Sequence, residues 1–537
     1  MKTRISSKHK YKLHFNSNLV NKGIIFFSFK TKNIINMRRH FFSFIVAAML
    51  LFPSTAMLAQ TNELPRSTPE EQGVASGKVI EFFDSITSLK TTEIHSVILM
   101  RHGRVIAEMY PCPFNAEYGH TMFSCSKAFT AVAVGIAIDE NRLRLTDRLA
   151  TFFPELLPDT IDSRLASITI RDLLTMTSGF LPTNDVRTQE TEWTAKCLAN
   201  AILATPGTRF AYDSMNTYLL SAIIQRVTGQ TMLDYLRPRL FTPLHIEKVI
   251  WESSPEGVIC GGWALYLQPE SMAKFGQLLL NKGNWNGQQL ISRMWVEEMM
   301  QPHVELQGGD SYCYQMWQCT HPYAVRADGA YGQYIIVMPQ EDAVAVITQC
   351  ATRNAGKREL DMLFHLLLPS FSEQPLPLGK DARHLSGKVY SLPFVVGKGA
   401  TKRINSIANR SYRLPENHLG WKSFTISQHG KQLELTIETV DGKWNTLVCG
   451  HQKWISSNVA THFPPNPRGT TLNAYSGFTN PFIASSSYAW ENDSALCIKT
   501  HFVDWMSGFD IVIRFDNLQP CMEVKLNYDN RTFNILF

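Results

Sequence analysis

The chain has 537 residues, of which 52 are Lys or Arg and 46 Asp or Glu, a formal net charge of +6. At about 150 residues per unit this length predicts roughly three units, and hydrophobic and charged fractions of 44% and 18% belong to a folded chain, which excludes general disorder. Ten of the basic residues precede His40; without the first 59 residues the balance is 42 basic to 46 acidic, about −4, and the electrostatic case for a nucleic-acid partner disappears.

The first element is an address. Residues 1 to 60 contain no Asp or Glu, Met37-Arg38-Arg39-His40 opens an apolar run from Phe41 to Phe52, and Pro53-Ser54-Thr55-Ala56-Met57-Leu58-Ala59-Gln60 ends it with small residues. Charged start, apolar middle and small-residue exit read as a secretory signal. The expectation is translation from Met37, with 1–36 an upstream extension or lengthened n-region, cleavage after Ala59 or Ala56, and an exported protein, periplasmic or secreted. The apolar run is shorter than the about 20 residues a bilayer requires, so no stable membrane span is expected after signal removal. The exit carries no cysteine for lipid anchoring.

Helical spacing follows over Gly77–Ser88, then two β runs, His95–Arg101 and Arg104–Tyr110, flank the turn pair His102-Gly103. Ser124-Cys125-Ser126-Lys127 then leads into an apolar, small-residue helix over Ala128–Ile138. Residues at i and i+3 share a helix face, so Lys127 can reach the Ser124 oxygen. The positive helix N-terminus favours an alkoxide there and disfavours a charged amine. Serine needs a base to act as a nucleophile, and a desolvated lysine can supply one. Ser-x-x-Lys alone is a common helix-start pair; the pairing gains meaning only from what accompanies it.

A short helix closed by glycine is predicted over Ile168–Gly179, with further helices at 190–204, 216–227, 231–238, 269–281 and 289–301. Within this block, Pro206-Gly207-Thr208-Arg209-Phe210-Ala211-Tyr212-Asp213-Ser214 is a turn that places Tyr212 and Ser214 beside a helix start, where either a half-buried aromatic and a cap or a catalytic loop fits. Arg326-Ala327-Asp328-Gly329-Ala330 precedes a β run, Gln333–Met338, which pairs with Ala343–Thr348 across Pro339–Asp342 before a helix over Arg358–Leu368. Glycine at such a strand allows a substrate carbonyl to approach backbone N–H groups. Two hairpins bracketing helices imply an α/β fold of the α+β type, an antiparallel sheet flanked by helices.

Pro and polar residues mark 371–387 as a linker, and short alternating runs over 388–537 predict a smaller all-β domain of barrel or sandwich type. The expected division is therefore 1–59 as extension plus signal, 60–370, the linker, and 388–537. Ten cysteines form no disulfide framework; Cys313 and Cys319 are the nearest couple, and buried free thiols are the simpler reading. There is no Cys-x-x-Cys and no His-Glu-x-x-His, so neither metal nor cofactor is expected.

Taken together, the Ser-x-x-Lys helix, the Tyr212-x-Ser214 loop and the Gly329 strand, with Ile168–Gly179, Val227-Thr228-Gly229 and Gly261-Gly262-Trp263 between them, resemble the serine β-lactamase and penicillin-binding-protein superfamily. The likeness is strongest to its class C β-lactamase-like hydrolases, and it covers about 60 to 370. It implies a β-lactamase/transpeptidase-like fold, Ser124 as nucleophile, Lys127 as its base partner, and Tyr212 as the shuttle for the leaving-group proton. By the same resemblance the Ser124 and Ala330 N–H groups form the oxyanion hole beside Gly329. Ser214 departs from the usual Asn, with Asn216 a possible replacement. Ala327-Asp328-Gly329 departs from Lys-Thr-Gly and removes a cation that binds substrate carboxylates, a role Arg326 fills only if it points inward. The expected function is an exported serine hydrolase acting on a small-molecule or peptide-like ester or amide through an acyl-enzyme. The alternatives are a cell-wall D-peptidase or weak β-lactamase, or a non-catalytic penicillin-binding-like sensor or scaffold.

Overall fold

A computed structural model describes residues 63–537 apart from 184, 190, 308–310, 353–354, 461–481, 517–518 and 529–530. The signal and start-site expectations lie outside the described residues. Strands β1 (Thr92–Arg101) and β2 (Arg104–Met109) form the first hairpin. His102 and Gly103 both take positive φ, 49° and 72°, the backbone that a two-residue turn needs to match strand twist. Further along the chain come β3 (Val304–Glu305), β4 (Ser311–Tyr312), β5 (Trp317–Gln318), β6 (Val325–Gly329), β7 (Gln333–Met338) and β8 (Ala343–Ala351). They complete an eight-stranded sheet in the order β2-β1-β8-β7-β6-β5-β4-β3. The two predicted hairpins are joined directly, with Val97 opposite Ile347 and Leu99 opposite Ala345.

Alternation along these strands gives the sheet two apolar faces. Ile98, Met100, Ile335 and Val337 lie in one core with Ala128, Phe129 and Val132 of helix Ser126–Asp139. Val97, Leu99, Tyr334 and Ile336 lie in the other, against Val79, Phe82 and Ile86 of helix Ser76–Thr87 and Leu360, Leu363 and Leu367 near the end of this unit. Burial on both faces explains why residues 97–100 of β1, and most of β7 and β8, read as apolar runs.

Two helices are shorter than their spacing predicts. The 190–204 pattern is helical only over Trp193–Leu198, because Asn200 donates its side-chain amide to the Leu181 carbonyl and Ile202 bridges Phe180. The 289–301 pattern starts as a small hairpin, Asn284–Trp285 with Gln288–Gln289, and becomes helix at Arg293–Met300, where the Ser292 hydroxyl accepts the Trp295 N–H. Within the stretch 371–387, Lys380–Gly387 is a helix, and just after it Lys388 and Tyr390 both bond Asp84.

From Ser411 onward a ten-stranded sheet curls on itself, antiparallel except where Trp444–His451 runs parallel to Phe482–Trp490. Gln432–Thr439 alternates half-buried and buried residues, and the inward set, with Trp421, Phe424, Leu435, Trp490 and Ile511, fills the interior. The rings of Tyr412 in the first strand and Phe537 after the last are 5.6 Å apart, so the ends of the curl meet. Among the described residues no helix is long and apolar enough to cross a membrane.

Candidate active site

Ser124 sits in a tight turn, Phe123–Cys125, that runs straight into the helix Ser126–Asp139. The turn is anchored from three sides. The Ser126 hydroxyl donates to the Phe123 carbonyl at 2.6 Å, the Met122 N–H donates to the Leu265 carbonyl, and the Cys125 thiol donates to the Gln333 carbonyl at 3.1 Å. Phe123 takes φ +45°, a backbone that L-residues hold only under constraint, directly before the serine.

Lys127 follows one helical step later and is 1% exposed. Its Nζ lies 3.1 Å from Ser124 Oγ, 2.9 Å from Ser214 Oγ and 2.7 Å from the Gly262 carbonyl oxygen. The carbonyl can only accept, so one N–H is committed to it, while the two hydroxyls can donate or accept. The Gly262 contact depends on the absence of a side chain, since a Cβ there would stand 2.9 Å from the Ser214 carbonyl oxygen and 3.4 Å from Lys127 Nζ.

Tyr212 and Ser214 arrive together. Asp213 caps the helix Ser214–Thr228 by accepting the Met215 N–H at 2.9 Å, which fixes its neighbours on either side. Lys127 Nζ lies 4.9 Å from the Tyr212 ring centre, and the Ser124 hydroxyl is a hydrogen-bonding neighbour of the phenol. Tyr212 is held by Tyr312 and Trp317, with ring centres at 6.1 and 5.7 Å. Burial pushes the Tyr212 phenol above its ordinary range, a shift the Ser124 hydrogen bond partly offsets. Burial likewise raises Asp213 to about 6, against the opposing pull of the Met215 N–H, Arg187 and Lys127.

Ser124, Lys127, Tyr212 and Ser214 are therefore brought together. Gly329 is drawn alongside, because a Cβ on it would fall 2.3 Å from the Met122 carbonyl oxygen, so only glycine lets β6 pass the Ser124 turn this closely. That approach sets Ala330 at the same turn; among the described residues its N–H meets no acceptor.

Two candidate substitutes lie elsewhere. Asn216 does not replace Ser214: its carbonyl accepts from the Ser178 hydroxyl at 2.8 Å and its amide faces Met176 Sδ. It is two residues, about 200°, further round the helix, and the Ser214 hydroxyl makes the lysine contact itself. Arg326 is 4% exposed and committed within the sheet, donating through Nε to Asp328 at 2.9 Å and through Nη1 to the Gln318 carbonyl at 2.9 Å. Lys357 also pairs with Asp328, and Ala327 is buried in the core. Gly262 as a lysine partner and Asp213 as the cap that aims Tyr212 were not assigned from sequence, although Gly-Gly-Trp and an Asp before a helix start carry a local signal. None of the ten cysteines forms a disulfide, the buried Cys313 and Cys319 included. Among the described residues no group of three His, Cys, Asp or Glu side chains is placed to hold a metal ion.

A family model described as Beta-lactamase matches residues 94–366, just over half of the chain. The 6-aminohexanoate-dimer hydrolase of Paenarthrobacter ureafaciens is 25% identical over 288 residues, 48% of this chain and 73% of that protein. Protein flp of Staphylococcus aureus (strain COL) is 30% identical over 175 residues, 28% of this chain, which spans 33% of flp's length. Among solved structures, the octameric penicillin-binding protein homologue from Pyrococcus abyssi aligns over 86% of this chain and 99% of its own, at 15% identity and a TM-score of 0.45.

Proposed function

The chain belongs to the beta-lactamase family, a family of serine hydrolases, and from that premise we propose that it cleaves an ester or amide through an acyl-enzyme on Ser124. The observation that carries the reading is the position of Lys127 Nζ, 3.1 Å from Ser124 Oγ and fixed there by the Gly262 carbonyl and the Ser214 hydroxyl. A base held within hydrogen-bond reach of a hydroxyl by two further partners is the arrangement that nucleophilic catalysis by serine needs.

In this reading Ser124 Oγ attacks the substrate carbonyl carbon while its proton passes to Lys127 Nζ. The carbonyl oxygen becomes the oxyanion and accepts from the Ser124 and Ala330 N–H groups. The raised Tyr212 keeps its phenol protonated at neutral pH, which suits it to donate to the leaving oxygen or nitrogen as the tetrahedral intermediate collapses. Lys127 then returns a proton to the phenolate. Water attacks the acyl-enzyme, gives up its proton along the same route, and Ser124 leaves with its hydroxyl restored.

The favoured substrates are neutral at the end that meets β6. Arg326 is already spent on Asp328 and Gln318, and Ala327 offers no charge. A buried carboxylate without a partner is costly. The likeness to a hydrolase of a 6-aminohexanoate dimer adds short linear amides to the candidates. The basic start, apolar run and small-residue exit before Gln60 support export, with the hydrolase over 60–370 and the β module beyond 388. The test is a panel of p-nitrophenyl esters, linear and D-amino-acid amides and nitrocefin on the mature protein, with Ser124→Ala as control. Turnover that survives Ser124→Ala overturns the assignment, and nitrocefin as the best substrate overturns the preference.

A further inference from the structure

In the curled β module, strand Ala495–Phe502 turns back into Gly508–Arg514 through residues 503–507. Hairpin tips are ordinarily exposed. This one is not: Val503, Trp505, Met506 and Ser507 are each at most 2% exposed, because the tip is pressed into the hydrolase. The Trp505 ring stacks on Tyr266 at 5.3 Å and lies 5.9 Å from the ring of Phe123, the residue before the nucleophile. Phe123 in turn packs on Tyr331 at 5.3 Å, and Tyr331 meets Tyr528 of the module edge-on at 6.2 Å. Beside them, the Asn527 amide donates to Glu93 at the start of β1 at 2.9 Å.

The two hydrolase rings gripped in this way belong to strained residues. Phe123 has φ +45° and Tyr331 φ +63°, and one precedes Ser124 while the other follows Ala330. Such a backbone persists only where surrounding packing imposes it. The packing here comes from the β module: Trp505 lies 382 residues after Phe123, and Tyr528 lies 197 after Tyr331. We propose that the tip 503–507 positions the oxyanion-binding backbone of the hydrolase, with Trp505 as the positioning residue that keeps Phe123, and through it the Ser124 N–H, aligned with the Ala330 N–H. The inference rests on the reading of Ser124 as the nucleophile.

The experiment uses the full mature chain and measures fluorophosphonate labelling of Ser124, p-nitrophenyl ester hydrolysis and melting temperature. Four proteins are compared: wild type, Trp505→Ala, Trp505→Phe and Leu435→Ala, the last a fully buried position inside the curl. Misaligned oxyanion donors lower the chemical step, so Trp505→Ala should cut kcat and the labelling rate about 10- to 100-fold, with KM moving less than about 3-fold. The pH midpoint of kcat/KM should not move, since Lys127 and Tyr212 are untouched, and Trp505→Phe should recover most of the rate. Leu435→Ala should melt earlier yet keep its kcat. Labelling of Trp505→Ala at the wild-type rate, or an equal rate loss in Leu435→Ala, overturns the proposal. If Trp505→Ala does not fold, Trp505→Leu against Trp505→Phe carries the test, and equal rates overturn it. Absence of Ser124 labelling in wild type is a different result, since it removes the nucleophile assignment itself and the proposal with it.

Discussion

The Gly262 carbonyl oxygen lies 2.7 Å from Lys127 Nζ, closer than either serine hydroxyl that the amine also touches. A peptide carbonyl cannot rotate away as a hydroxyl can, so this contact sets where the lysine head rests, and the serines adjust to it. The backbone reaches that depth because residue 262 has no side chain.

Gly262→Ala tests the relationship directly. The added methyl would press the Ser214 carbonyl at 2.9 Å and sit 3.4 Å from Nζ, pushing the backbone at 262 or the lysine outward. A displacement approaching 1 Å costs on the order of 100-fold in rate. The acylation rate of Gly262→Ala should therefore fall by about 10- to 100-fold while circular dichroism stays native. An unchanged rate would mean that the carbonyl does not place the lysine.

Lys127→Met keeps the length of the side chain and removes the amine. Loss of general-base help should slow covalent labelling of Ser124 by about two to four orders of magnitude. A loss below tenfold would make Lys127 a structural residue, and the three contacts to its Nζ a packing feature.

Substrate charge gives a third test. Neutral esters should exceed matched esters bearing a terminal carboxylate in kcat/KM. Arg326→Ala should leave that ratio within about 3-fold, because its guanidinium is bonded to Asp328 and Gln318. A carboxylate preference in both proteins would move the reading towards a peptidase or β-lactamase.

The seam between hydrolase and β module carries a pH dependence of its own. His95 and His120 share a 2.9 Å hydrogen bond, and burial holds His120 and His501 down to about 4, with His95 also well below its usual range. The folded protein keeps these rings neutral while the unfolded chain takes up protons below about 6.5, so their contribution is full above that value and is lost as pH falls towards 4. Asp213 at about 6 and Asp504 at about 7 are raised by burial and act in the opposite sense, their contribution being lost as pH rises through those values. Comparison of variants separates the two. His501 lies 3.8 Å from Glu93 and feels the charge of Lys499, and His501→Gln removes its titration. The drop in melting temperature between pH 7 and 4.5 should be smaller in His501→Gln than in wild type. Parallel curves would show that His501 does not titrate in this window.

Deletion of 388–537 should not leave a well-behaved hydrolase. It would uncover Phe114, Phe123 and Tyr266, which now lie under Val503 and Trp505. A truncated chain should aggregate or bind hydrophobic dyes, and a soluble, fully reactive core would remove the need for the module at the site.

The Ser124 and Lys127 pairing was legible from sequence because it is local: three residues apart on one helix, with an apolar run to bury it. The same holds for Tyr212 beside Ser214, for the hairpin at His102-Gly103, and for the alternation that marks the β module. Periodicity and turn chemistry act over a few residues, and these features need no more. The choice between Ser214 and Asn216 as lysine partner depended on how the helix Ser214–Thr228 is rotated about its axis, and the fate of Arg326 on which neighbours face it across β5 and β6. The Gly262 carbonyl and the Trp505 tip depend on segments far apart in the chain meeting at one point. Such contacts are decided by how whole elements pack, where burial of large apolar surfaces outweighs any local preference, so the tertiary structure alone could bring them to Ser124.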